Sequence, residues 1–156
     1  MYNKTNVLSS VTELYISECG AIRHGGGMCI HPKGGRADAS RGTPIVTASG
    51  CSGARLRFCY TRTHSGATEG DIVHESGNCL VPGTLTDSPW NDVSVVLGPC
   101  GVSYSRWRFT QNGNIQHVSS GMCWHPKSGR VSSDNGVIVY NSCQREQRLT
   151  FRIAPQ

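Results

Sequence analysis

"GNIQHVSSGMCWHPKSGR", residues 113–130, is the stretch from which the fold can be read, because the chain contains two variants of it. "GAIRHGGGMCIHPKGGR" begins at Gly20 and "GDIVHESGNCLVPG" at Gly70. Each opens Gly-x-Ile-x-His, giving Ile22/His24, Ile72/His74 and Ile115/His117, and each reaches a cysteine five or six residues after the His. Each then crosses a polar Gly/Pro/Ser stretch into an apolar strand: "TPIVTASGC", "VSVVLGPC" and "GVIVYNSC". Each closes on a strand ending in Phe: "ARLRF", "SRWRF" and "QRLTF". Aligned on those endings, Leu56, Trp107 and Leu149 are equivalent core positions, and so are Phe58, Phe109 and Phe151.

The period is about 45 residues, with room for about four short alternating strands. A unit of that size cannot bury its own apolar face, so three of them must close around one shared core. Three four-stranded units closing in this way define an all-β fold, a β-trefoil of three pseudo-symmetric repeats. A propeller is the geometric rival, but propellers have four or more blades. We expect one domain over residues 1–156, with repeats near 14–62, 63–110 and 111–156 and an arm or loose edge over 1–13. Asn3-Lys4-Thr5 in that arm is a glycosylation sequon if the protein is secreted in a eukaryote.

Composition agrees. Charged residues make up 16% of the 156, and there are 19 glycines and 7 prolines, a profile of short strands and turns. No run of about 18 apolar residues offers a membrane span, and no basic-then-apolar leader opens the chain. The net charge is +5, but the 15 basic residues are scattered, and "RLR" and "RWR" interleave apolar residues as strands do. No basic face or known motif points to nucleic acid. Attraction to acidic glycans stays open.

Eight cysteines occur without a CxxC pair, which disfavours a zinc ribbon or finger. Cys29 to Cys51, Cys79 to Cys100 and Cys123 to Cys143 span 22, 21 and 20 residues. Such similar closure, once per repeat, predicts the disulfides Cys29–Cys51, Cys79–Cys100 and Cys123–Cys143. Cys19 and Cys59 remain, both in the first repeat, and can join each other. Sequence alone permits 105 connectivities, so the pairing rests on the repeats. Disulfides imply an oxidising compartment, hence a secreted, extracellular protein.

His24, His74 and His117 recur in every repeat and read as packing or capping residues. The second His does not recur. Repeats one and three carry His31-Pro32-Lys33-Gly34-Gly35-Arg36 and His125-Pro126-Lys127-Ser128-Gly129-Arg130, whereas repeat two has Val81-Pro82-Gly83-Thr84. A His needed by the fold would be needed in repeat two as well, so its absence there argues for ligand work. The motif is no Walker loop, no G-x-S-x-G elbow is present, and no carboxylate pair stands beside it for glycosidase chemistry. The nearest acids along the chain are Asp38 and Asp134. A sugar pocket fits: imidazole offers a donor and an acceptor, Pro stiffens the turn, and Gly lets backbone groups approach a ring. The plainer alternative is a tight turn with no ligand.

These segments resemble the repeats of the mussel-type β-trefoil lectins that bind galactose and N-acetylgalactosamine. The resemblance rests on the His-Pro-x-Gly-Gly turn behind a G-x-I-x-H-V-x-S-G lead-in, and it covers about residues 14–154. It implies a non-enzymatic carbohydrate-binding protein with up to three sites, with His31, Gly34 and Gly35 in one and His125 and Gly129 in another, Ser128 replacing a Gly; no cofactor or metal is expected. The family also carries His-x-Asp-x-His after the next strand. Here Ala48, Gly50 and Ser52 stand there in repeat one, and Tyr140, Ser142 and Gln144 in repeat three. The loss removes a charge-assisted acceptor for sugar hydroxyls. The cysteine pairs instead resemble those of ricin-type trefoils, though the Gln-x-Trp signature of those proteins is missing.

Several readings follow. The foremost is a secreted lectin or agglutinin, multivalent through two sites built from His31, Pro32, Lys33, Gly34, Gly35, Arg36 and Ser52, and from His125, Pro126, Lys127, Ser128, Gly129, Arg130, Tyr140 and Gln144. Its partners are cell-surface or soluble glycans of galactose type, or anionic ones such as galacturonate, sulfated or sialylated sugars, met by the Lys and Arg residues. Tyr140 and Trp124 offer platforms for a sugar face, and repeat two can keep a weak site through Trp90 or Asn91. A homodimer is left open. The alternative is a trefoil acting through protein contacts, as a cytokine-like ligand or a protease inhibitor, with "YTRTHSGATE" at 60–69 as the candidate loop.

Overall fold

The structure is a computed structural model that describes residues 16–62 and 67–154. The expected N-terminal arm with its sequon, and residues 63–66 of the candidate inhibitor loop, lie outside the described residues. Twelve short strands follow one another. Repeat one holds β1 (Ile16–His24), β2 (Cys29–Pro32), β3 (Ile45–Ala48) and β4 (Phe58–Arg62). Repeat two holds β5 (Gly70–His74), β6 (Cys79–Pro82), β7 (Val93–Gly98) and β8 (Arg106–Phe109). Repeat three holds β9 (Ile115–His117), β10 (Cys123–Pro126), β11 (Asn135–Tyr140) and β12 (Phe151–Ala154). Among the described residues no helix is long and apolar enough to cross a membrane.

The outer strands of each repeat make a barrel through the antiparallel pairs β1–β4, β4–β5, β5–β8, β8–β9 and β12–β1. Phe151 N–H donates to Gly113 C=O at 2.9 Å and joins β12 to the approach of β9. The inner strands form three hairpins, β2–β3, β6–β7 and β10–β11. These meet one another through β3–β11, β11–β7 and a bridge between Pro44 and Val96. A barrel capped by a triangle of hairpins is the β-trefoil, as the repeats predict. Its core is threefold: Ile22, Ile72 and Ile115 are fully buried, as are Ile30, Leu80 and Trp124, and Ile45, Val95 and Val137.

One expected equivalence is shifted. Trp107 pairs with His117 across β8–β9, just as Phe58 pairs with His74 and Phe151 with His24. Phe58, Trp107 and Phe151 are therefore the equivalent core residues, and Ser105 takes the place of Leu56 and Leu149 at the end of a short 3-10 turn. Matching by Phe alone slid repeat two by two residues. Counting from the closing cysteine avoids the slip, since Cys51 to Phe58 and Cys100 to Trp107 are both seven residues. Ser105 is buried, and its hydroxyl lies 2.8 Å from an Asp71 oxygen, so a hydrogen bond replaces apolar packing there.

The lead-in histidines join each repeat to the one before it. The rings of His24, His74 and His117 each stand 5.0 Å from Phe151, Phe58 and Trp107. Their Nε2 atoms reach the carbonyls of Arg148, Arg55 and Tyr104 at 2.6, 2.7 and 2.9 Å. In His24 the Nδ1 atom accepts Gly26 N–H at 2.8 Å, so Nε2 carries the proton and donates it. Burial holds the pKa of His74 and of His117 below the usual imidazole range. They are structural residues, as their recurrence suggests.

All four expected disulfides form. Three tie the start of β2, β6 or β10 to the segment after the partner strand, and Cys19–Cys59 joins directly opposed residues of β1 and β4.

Candidate functional site

The two His-Pro motifs end β2 and β10, on the rim of the hairpin cap. Pairing with β3 and β11 turns both imidazoles inward, leaving His31 7% and His125 8% exposed. His31 Nε2 lies 2.9 Å from Gly50 C=O, and His125 Nε2 lies 2.6 Å from Ser142 C=O. Each bond fixes the segment before the closing cysteine and leaves Nδ1 as the remaining polar atom of the ring. Val81 fills the same slot in repeat two and is fully buried. The slot therefore accepts an apolar side chain.

Beyond each Pro the backbone turns through the left-handed region. Gly34 and Gly35 have φ of 90° and 69°, and Ser128 and Gly129 have 57° and 70°. Gly35 N–H donates to Pro32 C=O at 2.8 Å, closing the turn. In repeat three this turn walls a cleft of about 360 Å³. His125, Pro126, Ser128, Gly129, Tyr140 and Gln144, all expected from the sequence, line it together with Ser142. The Tyr140 ring stands 5.3 Å from that of His125 and is 38% exposed.

Two further residues of this cleft escaped the sequence, Arg148 and Asp92. Arg148 is the middle residue of the 3-10 turn whose carbonyl holds His24. Its guanidinium lies over Gly129, where an added Cβ would meet Nη1 at 3.1 Å. Arg55 is its counterpart over Gly35, at 3.6 Å from such a Cβ, whereas repeat two has Tyr104. Glu146 pairs with Arg148 at 2.8 Å, while Arg55 has no carboxylate partner among the described residues.

Asp92 reaches the cleft from the neighbouring repeat. Gly42, Asp92 and Asp134 occupy equivalent left-handed positions, with φ of 90°, 72° and 62°. Their N–H groups donate to Leu97, Val139 and Thr47 at 2.7, 3.0 and 2.8 Å. Each residue thus crosses to the next repeat. Asp92 of repeat two enters the cleft of repeat three, and Asp134 of repeat three takes the matching place against β3 of repeat one. Repeat two, which lacks the His, receives Gly42 and no carboxylate.

The remaining expected residues are less convergent. Lys127 and Arg130 are exposed and do not line the cleft; their carbonyls accept from Asn135 Nδ2 at 3.1 and 2.6 Å. Lys33 is exposed on its turn, and Ser52 is exposed beyond Cys51. Arg36 is held by Asp38 in a forked pair, Nε–Oδ1 at 2.9 Å and Nη2–Oδ2 at 3.0 Å, which raises the guanidinium pKa and lowers that of the carboxyl. Trp124 is fully buried against Trp107 and Phe151, so it offers no sugar platform. Asn91 binds repeat three, its Oδ1 accepting Asn141 N–H at 2.9 Å, so that loop borders the third cleft rather than a site in repeat two.

The architecture is thus a β-trefoil with a turn-walled cleft in repeat three. The chain belongs to the MytiLec family of alpha-D-galactose-binding lectins, whose model matches residues 11–98 and 71–155. No curated protein is similar enough in sequence to match. Among solved structures, the designed threefold-symmetric protein ThreeFoil superposes with a TM-score of 0.72 at 18% identity, covering 88% of this chain and 99% of that one. The Rhizoctonia solani agglutinin gives 0.71 at 14% identity, over 90% and 96%. The agglutinin from Abrus precatorius gives 0.62 at 19% identity, over 96% of this chain and 51% of that one. These likenesses show the fold.

Proposed function

We propose that the protein is a non-catalytic, galactose-type lectin with two sites, one at His31 and one at His125. The observation that carries this reading is the joint distribution of side chains over the threefold axis. Where the imidazole is present, a carboxylate arrives from the preceding repeat and an arginine lies over the turn glycine. Where it is absent, at Val81, the positions hold Gly42 and Tyr104. Asp92 and Asp134 supply the charge-assisted acceptor for sugar hydroxyls that the missing His-x-Asp-x-His segment would have given. Two sites on one rigid trefoil gain avidity on clustered glycans, which suits a secreted agglutinin. The four disulfides are compatible with that setting.

A second reading, preference for anionic galactose derivatives, is favoured at the first site alone. Arg55 there has no carboxylate partner among the described residues, and a sugar carboxylate or sulfate can accept its fork. A glycan array of neutral, uronate, sulfated and sialylated galactosides, repeated at low and high salt, tests both. Binding of neutral galactosides that is indifferent to salt supports the first reading. Preference for the anionic set, weakened by salt, supports the second. A folded protein silent across the array refutes both.

A further inference from the structure

We infer that the third cleft extends into a second sugar subsite built on Trp90, which makes it a site for galactose-ended oligosaccharides of at least two rings. This rests on the lectin reading above. Trp90 is 70% exposed, whereas Trp107 and Trp124, which complete the chain's three, are fully buried. A free indole face is costly to leave in water and is a frequent wall of ligand sites.

Its position connects it to the cleft. Asn91 and Asp92, the next two residues, are clamped to Asn141 and Val139 at 2.9 and 3.0 Å. Those are the two neighbours of Tyr140, so the loop and the cleft-lining tyrosine are held as one unit. Trp90 C=O accepts Val93 N–H at 3.4 Å, which folds the loop back on itself. At most about 7 Å of chain separates the Cα atoms of Trp90 and Asp92. A ring held at Asp92 therefore has its neighbour within reach of the loop that carries the exposed indole.

The device is confined to one cleft. Counting two residues back from Gly42 and Asp134 gives Ser40 and Ser132, neither of which offers a ring face. Site one is thus built for a single terminal residue and cleft three for a longer chain.

The test compares methyl galactoside with galactose-ended di- and trisaccharides on wild type, Trp90→Ala and Trp90→Phe. As the single exposed tryptophan, Trp90 also reports binding by its own fluorescence and its quenching by acrylamide. We expect oligosaccharide, but not methyl galactoside, to shield Trp90 from quencher. Trp90→Ala should weaken the oligosaccharide about three- to tenfold while leaving the monosaccharide within twofold, and Trp90→Phe should restore much of the loss. Equal effects on both ligands, or none on either, overturn the subsite while leaving the lectin reading intact. Loss of a dimer in Trp90→Ala by sedimentation assigns the indole to a protein contact and also overturns it. Failure of every sugar to bind the wild type overturns the lectin reading itself.

Discussion

His74 packs at a tilt against Phe58, ring centres 5.0 Å apart, and donates its Nε2 proton to Arg55 C=O at 2.7 Å, so one side chain joins repeat two to both the barrel and the 3-10 turn of repeat one. The same carbonyl-to-imidazole contact occurs at each repeat junction, and the residue that supplies the carbonyl also projects toward a His-Pro turn in repeats one and three. Fold and site therefore share a residue, its carbonyl serving the junction and its guanidinium the turn. The lead-in histidines hold the turn from which Arg55 and Arg148 reach their glycines.

Removal of a lead-in histidine is expected to be costly to the fold. His74→Ala strips a buried ring contact with Phe58, leaves a cavity and removes the hydrogen bond to Arg55 C=O, for a loss of roughly 2–4 kcal/mol by urea unfolding. His117→Ala should behave alike. A loss below 1 kcal/mol at both positions would show that the junctions are held elsewhere.

The other pair of histidines should behave in the opposite way. His31→Val and His125→Val place in each slot the residue that repeat two already tolerates as Val81. The Gly50 carbonyl that loses its partner belongs to an exposed residue and can take water instead. The double variant should keep its stability within about 1 kcal/mol and lose sugar binding. Isothermal calorimetry beside a melting curve separates the two effects.

Stability should also depend on pH in a defined window. Burial lowers the folded pKa of His74 and His117, so below about 6.5 the unfolded chain binds protons that the folded chain refuses. Stability is then full above about pH 6.5 and falls as pH drops toward the folded values, by up to about 1.4 kcal/mol per pH unit for each histidine. His74→Gln should flatten the slope below about pH 6.5.

The two turns differ in how closely the arginine approaches. Gly129→Ala would set a methyl 3.1 Å from Arg148 Nη1, so the guanidinium has to shift slightly, whereas Gly35→Ala leaves an ordinary 3.6 Å to Arg55. Both substitutions put a Cβ on a left-handed residue, at a cost of roughly 1–2 kcal/mol. Affinity should fall further at the third cleft than at site one, measured in variants that keep one site each.

The parts of the molecule that repeat were legible in the sequence. Gly-x-Ile-x-His and the evenly spaced cysteines mark each unit, and they led to the trefoil, the disulfides and the structural role of His24, His74 and His117. Residue type alone matches Phe109 to Phe58, whereas distance from Cys100 places Trp107 there. Asp92 could not be read, because its place in the cleft depends on a contact between repeats, and Arg148 could not, because only the folded 3-10 turn brings its guanidinium back over Gly129 of its own repeat. Asp92 meets Val139, far along the chain, by a loop that crosses to the next unit. Asp134 was visible as an acid near the motif of its own repeat, yet its backbone is bound to Thr47 of another. Trp124 and Tyr140 lie on paired strands, β10 and β11, and only the pleat separates the buried ring from the exposed one.

The most direct measurement is the calorimetric stoichiometry of methyl galactoside on wild type, Asp92→Ala, Asp134→Ala and the double variant. The account predicts two sites in the wild type, one in each single variant and none in the double, all four proteins melting alike. Two sites surviving in the double variant would contradict it, for the carboxylates carried across the repeats would then have no part in binding.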